Sequence, residues 1–338
     1  MEKYLLCCDW GTSSFRLRLI GLSECQMIGE VLSSEGIAAT YSAWKLTAKD
    51  KLMVRAQFFK NYLRQQIDIL AARLSLDLNK VTIVISGMAS SSIGMEEIPY
   101  TDLPYAVDGS QSSIRFFDMS EDFPHEIMLI SGVKSDVDVM RGEETQLVGL
   151  LNMSELSSFQ NKEAIFIFPG THSKHMYVQG NELVGFQTFM TGEIFKIMSH
   201  YSILKDSVEN GNQNDLTQEE ISAFRSGVRQ SEHANILNSL FKVRTNQLFD
   251  KMNRKQNALY MSGLLIGNEL KDLKEKESWD LVLCSGNNLY ELYKLGIEEL
   301  DLAQRTTTVS AGIIDKATVA GQVKIFQNQK IKLNNNNA

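Results

Sequence analysis

Two short turns rich in glycine, threonine and serine carry the strongest chemical signal in the sequence. Gly11-Thr12-Ser13-Ser14 and Gly170-Thr171-His172-Ser173 lie almost half the chain apart, and a short apolar run precedes each of them. Such a turn between two strands gathers backbone N–H groups and hydroxyls in one concavity, which can hold phosphate oxygens without a large positive field. The two turns together predict a protein that binds a polyphosphate.

Charged residues flank both turns. Asp9 comes directly before the first turn, at the predicted carboxyl end of a strand, and Lys174 follows the second. A carboxylate in that position can accept hydrogen bonds from the waters of a Mg²⁺ ion bound to the polyphosphate. Lys174 could neutralise charge that develops on phosphate, but a lysine on a strand is usually just solvated. Asp9 is therefore the predicted metal site, and two interpretations of Lys174 stay open.

Composition excludes several classes of protein. The 338 residues include 41 carboxylates against 34 lysines and arginines, for a net charge of −7, so no domain-wide positive field favours nucleic-acid binding. The amino terminus lacks the plan of a signal peptide, and no apolar run approaches the length of a membrane span. The four cysteines show no disulfide or zinc spacing and are expected to be small buried side chains. We therefore expect a cytoplasmic protein without a membrane or nucleic-acid partner.

The elements around the two turns repeat. Each turn is predicted to lie in a three-stranded meander, and each meander is followed by residues with helical periodicity. The repetition predicts an internal duplication and an α/β protein of two similar halves, each a mixed sheet with helices on its faces. The predicted strands are 4–8, 15–20 and 27–32 in the first half and 164–168, 174–178 and 183–189 in the second.

Several motifs carry a resemblance to a known family. The segment DWGTSSFR at 9–16 looks like the first phosphate loop of the sugar kinase, Hsp70 and actin superfamily. Four further motifs narrow the match to the 2-dehydro-3-deoxygalactonokinase family, and after residue 204 the match depends mainly on CSGNNLYELY at 284–293. The four motifs are GMASSSIGMEEIPY at 87–100, DVMRGEETQLVG at 138–149, PGTHSKH at 169–175 and FQTFMTGEIF at 186–195.

The resemblance implies both a fold and an activity. The fold would be two duplicated ribonuclease H-like domains of the actin/hexokinase type, with mixed five-stranded sheets and a central nucleotide cleft. The first domain, residues 1–160, would carry a sugar-acid pocket, the second, 161–330, an adenosine site, and residues 331–338 would form a frayed tail. The activity would be transfer of the γ-phosphoryl group of ATP to 2-dehydro-3-deoxy-D-galactonate, giving the 6-phosphate in galactonate catabolism.

The resemblance also implies a role for individual residues. Asp9 would orient Mg²⁺, and the turn Ser285-Gly286-Asn287 would bind adenosine, although a plain strand-to-helix turn is the alternative. The ATP phosphates would contact Gly11, Thr12, Ser13, Arg16, Gly170, Thr171, His172, Ser173 and Lys174. The sugar acid would contact Gly87, Ser91, Glu97, Tyr100, Thr191, Gly192 and Glu193.

The general base is implied to be a carboxylate at the start of the helix that precedes the second turn. Glu143 is the first candidate and Asp138 the second, with Glu144 and Asp136 close by in sequence. A purely structural role at a helix N-terminus is the alternative, because the helix dipole stabilises a carboxylate there. The substrate carboxylate needs a donor, and an arginine offers the matching planar fork. Candidate donors are Arg141, Arg16, His175 and the hydroxyls of residues 90–92.

Four positions depart from the family pattern. Ser90, Ser92 and Met95 stand where the pattern has Gly, Arg and Trp, and His175 stands where it has Trp. These departures leave open a kinase of the same fold that acts on another 2-keto-3-deoxy sugar acid. A non-kinase ATP-binding switch is the rival from a different class, because the fold alone does not fix the function. A homodimer is compatible with all of these interpretations.

Overall fold

The computed structural model describes residues 3–23, 25–48, 54–159, 161–209 and 216–336, and the chain divides into two compact units. The first unit comprises residues 1–160, 181–184 and 316–338, and the second comprises 161–180 and 185–315. Residues 316–330, which the sequence analysis assigned to the second domain, thus group with the first unit. Residues 49–53 of a predicted helical segment lie outside the described residues.

The described residues form strands and helices in the following order. The strands are β1 (Tyr4–Trp10), β2 (Phe15–Gly21), β3 (Gln26–Ser33), β4 (Ile83–Gly87), β5 (Thr101–Asp102), β6 (Tyr105–Ala106), β7 (Ile114–Phe117), β8 (Ile127–Ile130), β9 (Val133–Lys134), β10 (Val139–Met140), β11 (Glu163–Phe168), β12 (Ser173–Gln179), β13 (Glu182–Phe189), β14 (Asp280–Cys284) and β15 (Thr306–Val309). The helices are α1 (Ile37–Ala48), α2 (Arg55–Leu74), α3 (Glu143–Asn152), α4 (Thr191–Tyr201), α5 (Gln218–His233), α6 (Ile236–Leu248), α7 (Arg254–Leu270), α8 (Asn287–Glu299) and α9 (Ala311–Asn336).

The first unit is built on a sheet with the strand order β3-β2-β1-β4-β8-β7. β1 pairs antiparallel with β2 and parallel with β4, so the carboxyl ends of β1 and β4 meet at Trp10 and Gly87. Helix α2 covers one face of this sheet because Phe59, Leu63, Ile67 and Leu70 recur at helical spacing and are all buried in the core. The polar turn after β1 is therefore placed at an edge of the sheet beside the end of β4.

The second unit repeats this arrangement. Its strands β13-β12-β11-β14-β15 follow the order of β3-β2-β1-β4-β8 in the first unit, with two antiparallel pairs and then two parallel pairs. This is the ribonuclease H-like arrangement of the actin/hexokinase type, and the predicted fold class, α/β with two duplicated domains and mixed sheets, is confirmed. Both sheets have six strands rather than the predicted five, because β7 pairs antiparallel with β8 at the edge of the first sheet and β6 pairs antiparallel with β13 at the edge of the second.

Helix α9 is held within the first unit by close backbone contacts with α3. A Cβ atom on Gly321 would lie 1.9 Å from the carbonyl oxygen of Thr145, and one on Gly149 would lie 1.8 Å from that of Ala317. Farther along, Asn328 Nδ2 donates to the carbonyl oxygen of Asp108 at 2.7 Å. The described part of the predicted frayed tail, residues 331–336, continues this helix, because such long-range contacts are invisible to a reading of local composition.

Two expectations from the sequence concern the burial of the four cysteines and helices that could span a membrane. Cys7, Cys8 and Cys284 are buried as predicted, whereas Cys25 is exposed, because it lies in the turn before β3. Among the described residues, no helix combines the length and the apolar character needed to cross a membrane.

Candidate active site

Asp9 is positioned by the pairing of β1 with β2. The antiparallel register sets Asp9 opposite Arg16, and Arg16 Nη1 donates to Asp9 Oδ2 at 2.8 Å. No hydrogen bond from a described residue reaches the other oxygen, Oδ1, and the side chain is 26% exposed. Burial raises the pKa of Asp9, and the positive charge of Arg16 opposes that rise. One carboxylate oxygen is thus left available for a ligand.

The first glycine turn is fixed against the start of α1. Gly11 N donates to the carbonyl oxygen of Ser14 at 2.9 Å, and the N–H groups of Ile37 and Ala38 donate to the carbonyl oxygens of Gly11 and Thr12. Thr12 itself and Ser13 are exposed. The backbone is therefore held from behind, while the two side chains predicted to contact phosphate face solvent.

Gly87 and Gly142 bring the start of α3 against the ends of β1 and β4. Both residues have positive φ angles, +89° and +106°, which favour glycine, and a Cβ on Gly142 would lie 3.3 Å from Gly87 Cα. A Cβ on Gly87 would lie 3.6 Å from Asp9 Oδ1. Glu143, the first residue of α3, is partly exposed and close enough for its charge to raise the pKa of Asp9. Three residues predicted for one site, Asp9, Gly87 and Glu143, thus lie together.

Glu144 is a buried neighbour that the sequence analysis mentioned without assigning a role. Its side chain accepts hydrogen bonds from Gly142 N at 2.7 Å and from Thr145 Oγ1 at 2.9 Å, so it caps the start of α3. Burial, followed by the nearby charge of Glu143, raises the pKa of Glu144 to about 7. The second base candidate, Asp138, lies in the turn before β10, where its Oδ1 accepts from Val139 N at 2.7 Å.

Arg141 braces the segment 87–100. Its guanidinium donates to Ser90 Oγ at 2.7 Å and to the carbonyl oxygen of Ile98 at 3.1 Å, and it lies over the ring of Tyr100 at 3.9 Å from the ring centroid. Ser131 Oγ accepts a third, longer bond at 3.3 Å. Recognition of a substrate carboxylate by Arg141 stays a prediction, and it would have to compete with these partners.

Arg55 is a cation near this segment that sequence reasoning missed. It is the first residue of α2, and its Nη1 donates to the carbonyl oxygen of Ser92 at 2.7 Å. Its guanidinium carbon lies 5.8 Å from the ring centroid of Trp44, while no other partner among the described residues engages its remaining N–H groups. Arg55 therefore contacts Ser92, one of the positions that depart from the family pattern, and lies near the ring of Trp44.

Gln322 of α9 is a second residue that the sequence did not suggest. It is fully buried, and its Nε2 donates to the carbonyl oxygen of Cys8 at 2.7 Å and to Ser86 Oγ at 2.8 Å. These two partners directly precede Asp9 and Gly87 in the chain. Gln322 thus bridges β1 and β4 immediately beneath the candidate metal site.

In the second unit, the other glycine turn rests on the start of α4. Glu193 N donates to the carbonyl oxygen of Thr171 at 3.0 Å, and His172 Nε2 lies 2.6 Å from Glu193 Oε2. A Cβ on Gly192 would lie 2.6 Å from the carbonyl oxygen of Gly170, so only glycine permits this approach. The structure therefore joins two predicted groups, the second phosphate turn and the start of α4.

Lys174 lies under this turn rather than in solvent. It is 4% exposed, and its Nζ donates to the carbonyl oxygen of His172 at 3.1 Å. The interpretation of Lys174 as an ordinary solvated strand lysine is wrong, because its side chain folds back beneath the turn. A direct role in phosphate chemistry stays a prediction.

An apolar pocket adjoins the second turn. It is open to solvent on one side, and Gly170 and Thr191 contribute to its wall together with Phe195, Leu265 and Tyr293. Helix α8, which carries Tyr293, begins at the predicted adenosine turn, where Ser285 is buried while Gly286 and Asn287 are exposed. The pocket has the apolar walls that a planar base requires, and it lies next to the turn that the sequence predicts to bind phosphate.

Comparison with known proteins identifies the family of the chain. A family model described as 2-keto-3-deoxy-galactonokinase matches residues 9–325. A protein of Rhizobium meliloti (strain 1021), named a probable 2-dehydro-3-deoxygalactonokinase, is 29% identical and covers 92% of this chain and 94% of its own. The 2-dehydro-3-deoxygalactonokinase of Escherichia coli (strain K12) is 24% identical, with 89% and 91% covered.

A solved structure extends the similarity to three dimensions. The crystal structure of a candidate 2-dehydro-3-deoxygalactonokinase from Sinorhizobium meliloti superposes with a TM-score of 0.73 at 28% identity, covering 95% of this chain and 96% of that one. The predicted activity, ATP-dependent phosphorylation of 2-dehydro-3-deoxy-D-galactonate, is confirmed at the level of the family. The chain belongs to the 2-keto-3-deoxy-galactonokinase family.

Proposed function

We propose that the first unit binds the metal and the acceptor of this phosphoryl transfer, and that Asp9 and Glu143 are its central groups. The observation that carries the proposal is the meeting of Asp9, Gly87 and Glu143 at the ends of β1 and β4 and the start of α3. Phosphoryl transfer needs positioning, charge stabilisation and one group that takes the hydroxyl proton, and these residues are suited to supply all three.

The groups around Asp9 fit a Mg²⁺ ion. Asp9 Oδ1 has no hydrogen-bond partner among the described residues, and Gly87 leaves the space in front of it free of a side chain. Carboxylate oxygens are suitable ligands for this hard cation, either directly or through its waters. When bound, Mg²⁺ would offset negative charge on the ATP phosphates. Gln322 would keep the strands that carry Asp9 and Gly87 in register.

We assign the general base to Glu143 ahead of its neighbours. It is partly exposed beside Asp9, with its Oε2 accepting from Arg141 N at 3.1 Å, whereas Glu144 is 1% exposed and buried away from solvent. In a loose transition state the acceptor hydroxyl loses its proton late, so the base contributes modestly and its loss leaves residual activity. Asp138 remains the second candidate.

The second unit is proposed to bind the nucleotide. The amides of the turn 170–173 and of the start of α4 suit phosphate oxygens, because backbone N–H groups at a helix N-terminus favour anions. The apolar pocket between α4, α7 and α8 is proposed to take the adenine ring. Residues 285–287 would then contact the adenosine from the start of α8.

The carboxylate of the sugar acid is proposed to bind Arg55. This arginine is anchored to the carbonyl oxygen of Ser92 through one nitrogen only, which leaves its other donors available. It would thereby provide the guanidinium that position 92 lacks in this chain.

A cytoplasmic location and a homodimer stay predictions.

Two substitutions test the assignment of Asp9 and Glu143. Asp9→Asn should reduce kcat by at least ~10³-fold, because it removes a charge that positions the metal, whereas Glu143→Gln should reduce kcat by only about 10²-fold, the low end of the contribution of a general base. ADP formation with Mg-ATP and 2-dehydro-3-deoxy-D-galactonate gives both values. A folded Asp9→Asn variant with wild-type turnover would refute the metal assignment. Glu121→Gln, on an exposed loop of the same unit, is the control.

A further inference from the structure

Glu269 lies at the centre of a buried network of polar side chains in the second unit. Its side chain and that of His175 are each 1% exposed, and His175 Nε2 lies 3.2 Å from Glu269 Oε1. The other oxygen, Oε2, receives the hydroxyl of Tyr293 at 2.8 Å and the hydroxyl of Thr191 in a short hydrogen bond. We call Glu269, His175, Thr191, Tyr293 and Ser173 the Glu269 network.

The hydrogen bonds of this network run in one direction toward Glu269. Tyr293 has one hydroxyl proton, and the carboxylate is its acceptor, so Ser173 Oγ must donate to the Tyr293 oxygen 2.9 Å away. The alternative acceptor for Ser173, the carbonyl oxygen of Gly170, is farther at 3.5 Å. Ser173 Oγ in turn accepts from Gly170 N at 3.3 Å. Burial and the charge of Glu269 raise the pKa of Tyr293, which keeps this phenol protonated.

The network joins three parts of the candidate nucleotide site. Ser173 ends the second glycine turn, Thr191 is the first residue of α4, and Tyr293 lies on α8. Thr191 and Tyr293 also form part of the wall of the apolar pocket. Oε2 of Glu269 thus accepts hydrogen bonds from two side chains of the pocket wall, Thr191 and Tyr293. Tyr293 is also bonded to Ser173, the last residue of the turn.

A buried carboxylate is costly, and a well-packed apolar side chain is often more stabilising in such a place. A purely structural core would not require a carboxylate here. The two hydroxyls that donate to Glu269 Oε2 belong to residues of the pocket wall, and that of Tyr293 is also bonded to Ser173 of the turn. No sequence motif indicated this role, because Glu269 lies far along the chain from both glycine turns. The function of the network is therefore to be sought at the nucleotide site.

We propose that Glu269 is a positioning residue that acts through Thr191 and Tyr293 to hold the turn Gly170–Ser173 in the geometry that receives the nucleotide phosphates. The inference rests on the proposed role of this turn in phosphate binding. Its consequence is that the pocket and the turn are coupled, since the Tyr293 side chain touches both. Disconnecting the network should weaken phosphate recognition while leaving the pocket for the base in place.

Tyr293→Phe is the sharpest test, because it removes only the hydroxyl that links Ser173 to Glu269. Isothermal titration with adenosine, ADP and ATP should show adenosine affinity changed less than about twofold and ATP affinity weakened about tenfold, the effect expected from one hydrogen bond to a charged group. kcat should fall as well. Tyr290→Phe on the same helix is the matched control, because among the described residues its hydroxyl contacts Thr308 alone, at 3.5 Å and near the surface.

A second pair of variants covers the possibility that Tyr293→Phe fails to fold. Thr191→Val removes the hydroxyl that donates to Glu269, with little change in shape, and should lower the ratio of ATP affinity to adenosine affinity. Thr191→Ser keeps this hydroxyl and should have the wild-type ratio. A structural role alone would lower the melting temperature and leave that ratio at its wild-type value in both variants, which would overturn the proposal. If the wild-type protein itself bound ATP no better than adenosine, the phosphate role of the turn would fail first.

Discussion

At the scale of single residues, protonation of Glu144 should make the stability of the folded protein depend on pH. In the folded protein its pKa is about 7, against about 4.5 for an exposed glutamate, so the folded state holds a proton that the unfolded state has lost. The stability that this proton contributes is fully present below pH 4.5 and is lost as the pH rises through 7. A shift of this size corresponds to roughly 3 kcal/mol.

Glu144→Gln should remove that dependence, because an amide does not titrate. We expect the free energy of unfolding in urea to fall between pH 5 and pH 8 in the wild-type protein, and to fall roughly 3 kcal/mol less in the variant. Glu182→Gln, at an exposed position on β13, should behave like the wild type. Parallel pH profiles for the wild type and Glu144→Gln would contradict the account.

Arg55 makes a prediction about the acceptor alone. Arg55→Ala should raise the KM for the sugar acid by about 10-fold to 100-fold, because a charge-assisted hydrogen bond contributes roughly 1.5–3 kcal/mol. The KM for ATP should stay within about twofold, since the proposed nucleotide site lies in the other unit. Steady-state kinetics with each substrate varied in turn measures both constants.

The matched control for Arg55 is Arg64→Ala. Arg64 lies on the same helix and also donates through Nη1 to a backbone carbonyl oxygen, that of Asp122, at 2.7 Å. Its loss should cost a similar amount of stability and leave the KM for the sugar acid unchanged. An equal rise in that KM for both variants would show that Arg55 acts on the fold and not on the substrate.

At the scale of elements, the packing of α9 on α3 depends on glycine. Gly321→Ala would place a Cβ 1.9 Å from the carbonyl oxygen of Thr145, so the two helices must separate, at a cost of at least ~2 kcal/mol. On the same helix, a Cβ on Gly312 would have no described residue beyond its chain neighbours within 4 Å, and Gly312→Ala should stabilise the protein by up to ~1 kcal/mol. Thermal unfolding of the two variants should therefore move in opposite directions.

The elements that could be predicted from sequence are those whose signals are local. Both meanders and both glycine turns follow from alternation and turn chemistry within short segments, and the structure contains them. The role of Gln322 is not local, because its partner Cys8 lies at the other end of the chain. The burial of Lys174 also escaped prediction, since strand periodicity does not say which side chains fold back beneath a turn.

The same limit applies within the candidate site. Asp9, Gly87 and Glu143 were predicted for one site because a family pattern linked three distant segments, and the structure brings them together. Arg55 and Glu269 lie outside every motif of that pattern, so only their contacts in the folded chain point to them. Sequence motifs thus indicated the residues proposed to contact the phosphates. The structure was needed to find Arg55, proposed to bind the sugar acid, and Glu269, proposed to position the second turn.

At the scale of the whole molecule, a chain with a net charge of −7 must bind two anions, ATP and a sugar acid. Overall charge therefore opposes binding, and affinity must come from local groups, for which the turn amides, Arg55 and a divalent cation are the proposed candidates. We therefore expect turnover to depend strictly on the correct acceptor. An anion that does not fit the local groups is not attracted by a protein with a net negative charge.

The most direct test is formation of ADP by the purified protein with Mg-ATP and a panel of acceptors. The panel contains 2-dehydro-3-deoxy-D-galactonate, its gluconate epimer and plain hexoses, with one reaction lacking an acceptor. We predict turnover with the galactonate compound, at least ~10-fold less with the epimer, and none with hexoses or without an acceptor. ADP formation at the same rate without any acceptor, or only with a different sugar acid, would contradict the account.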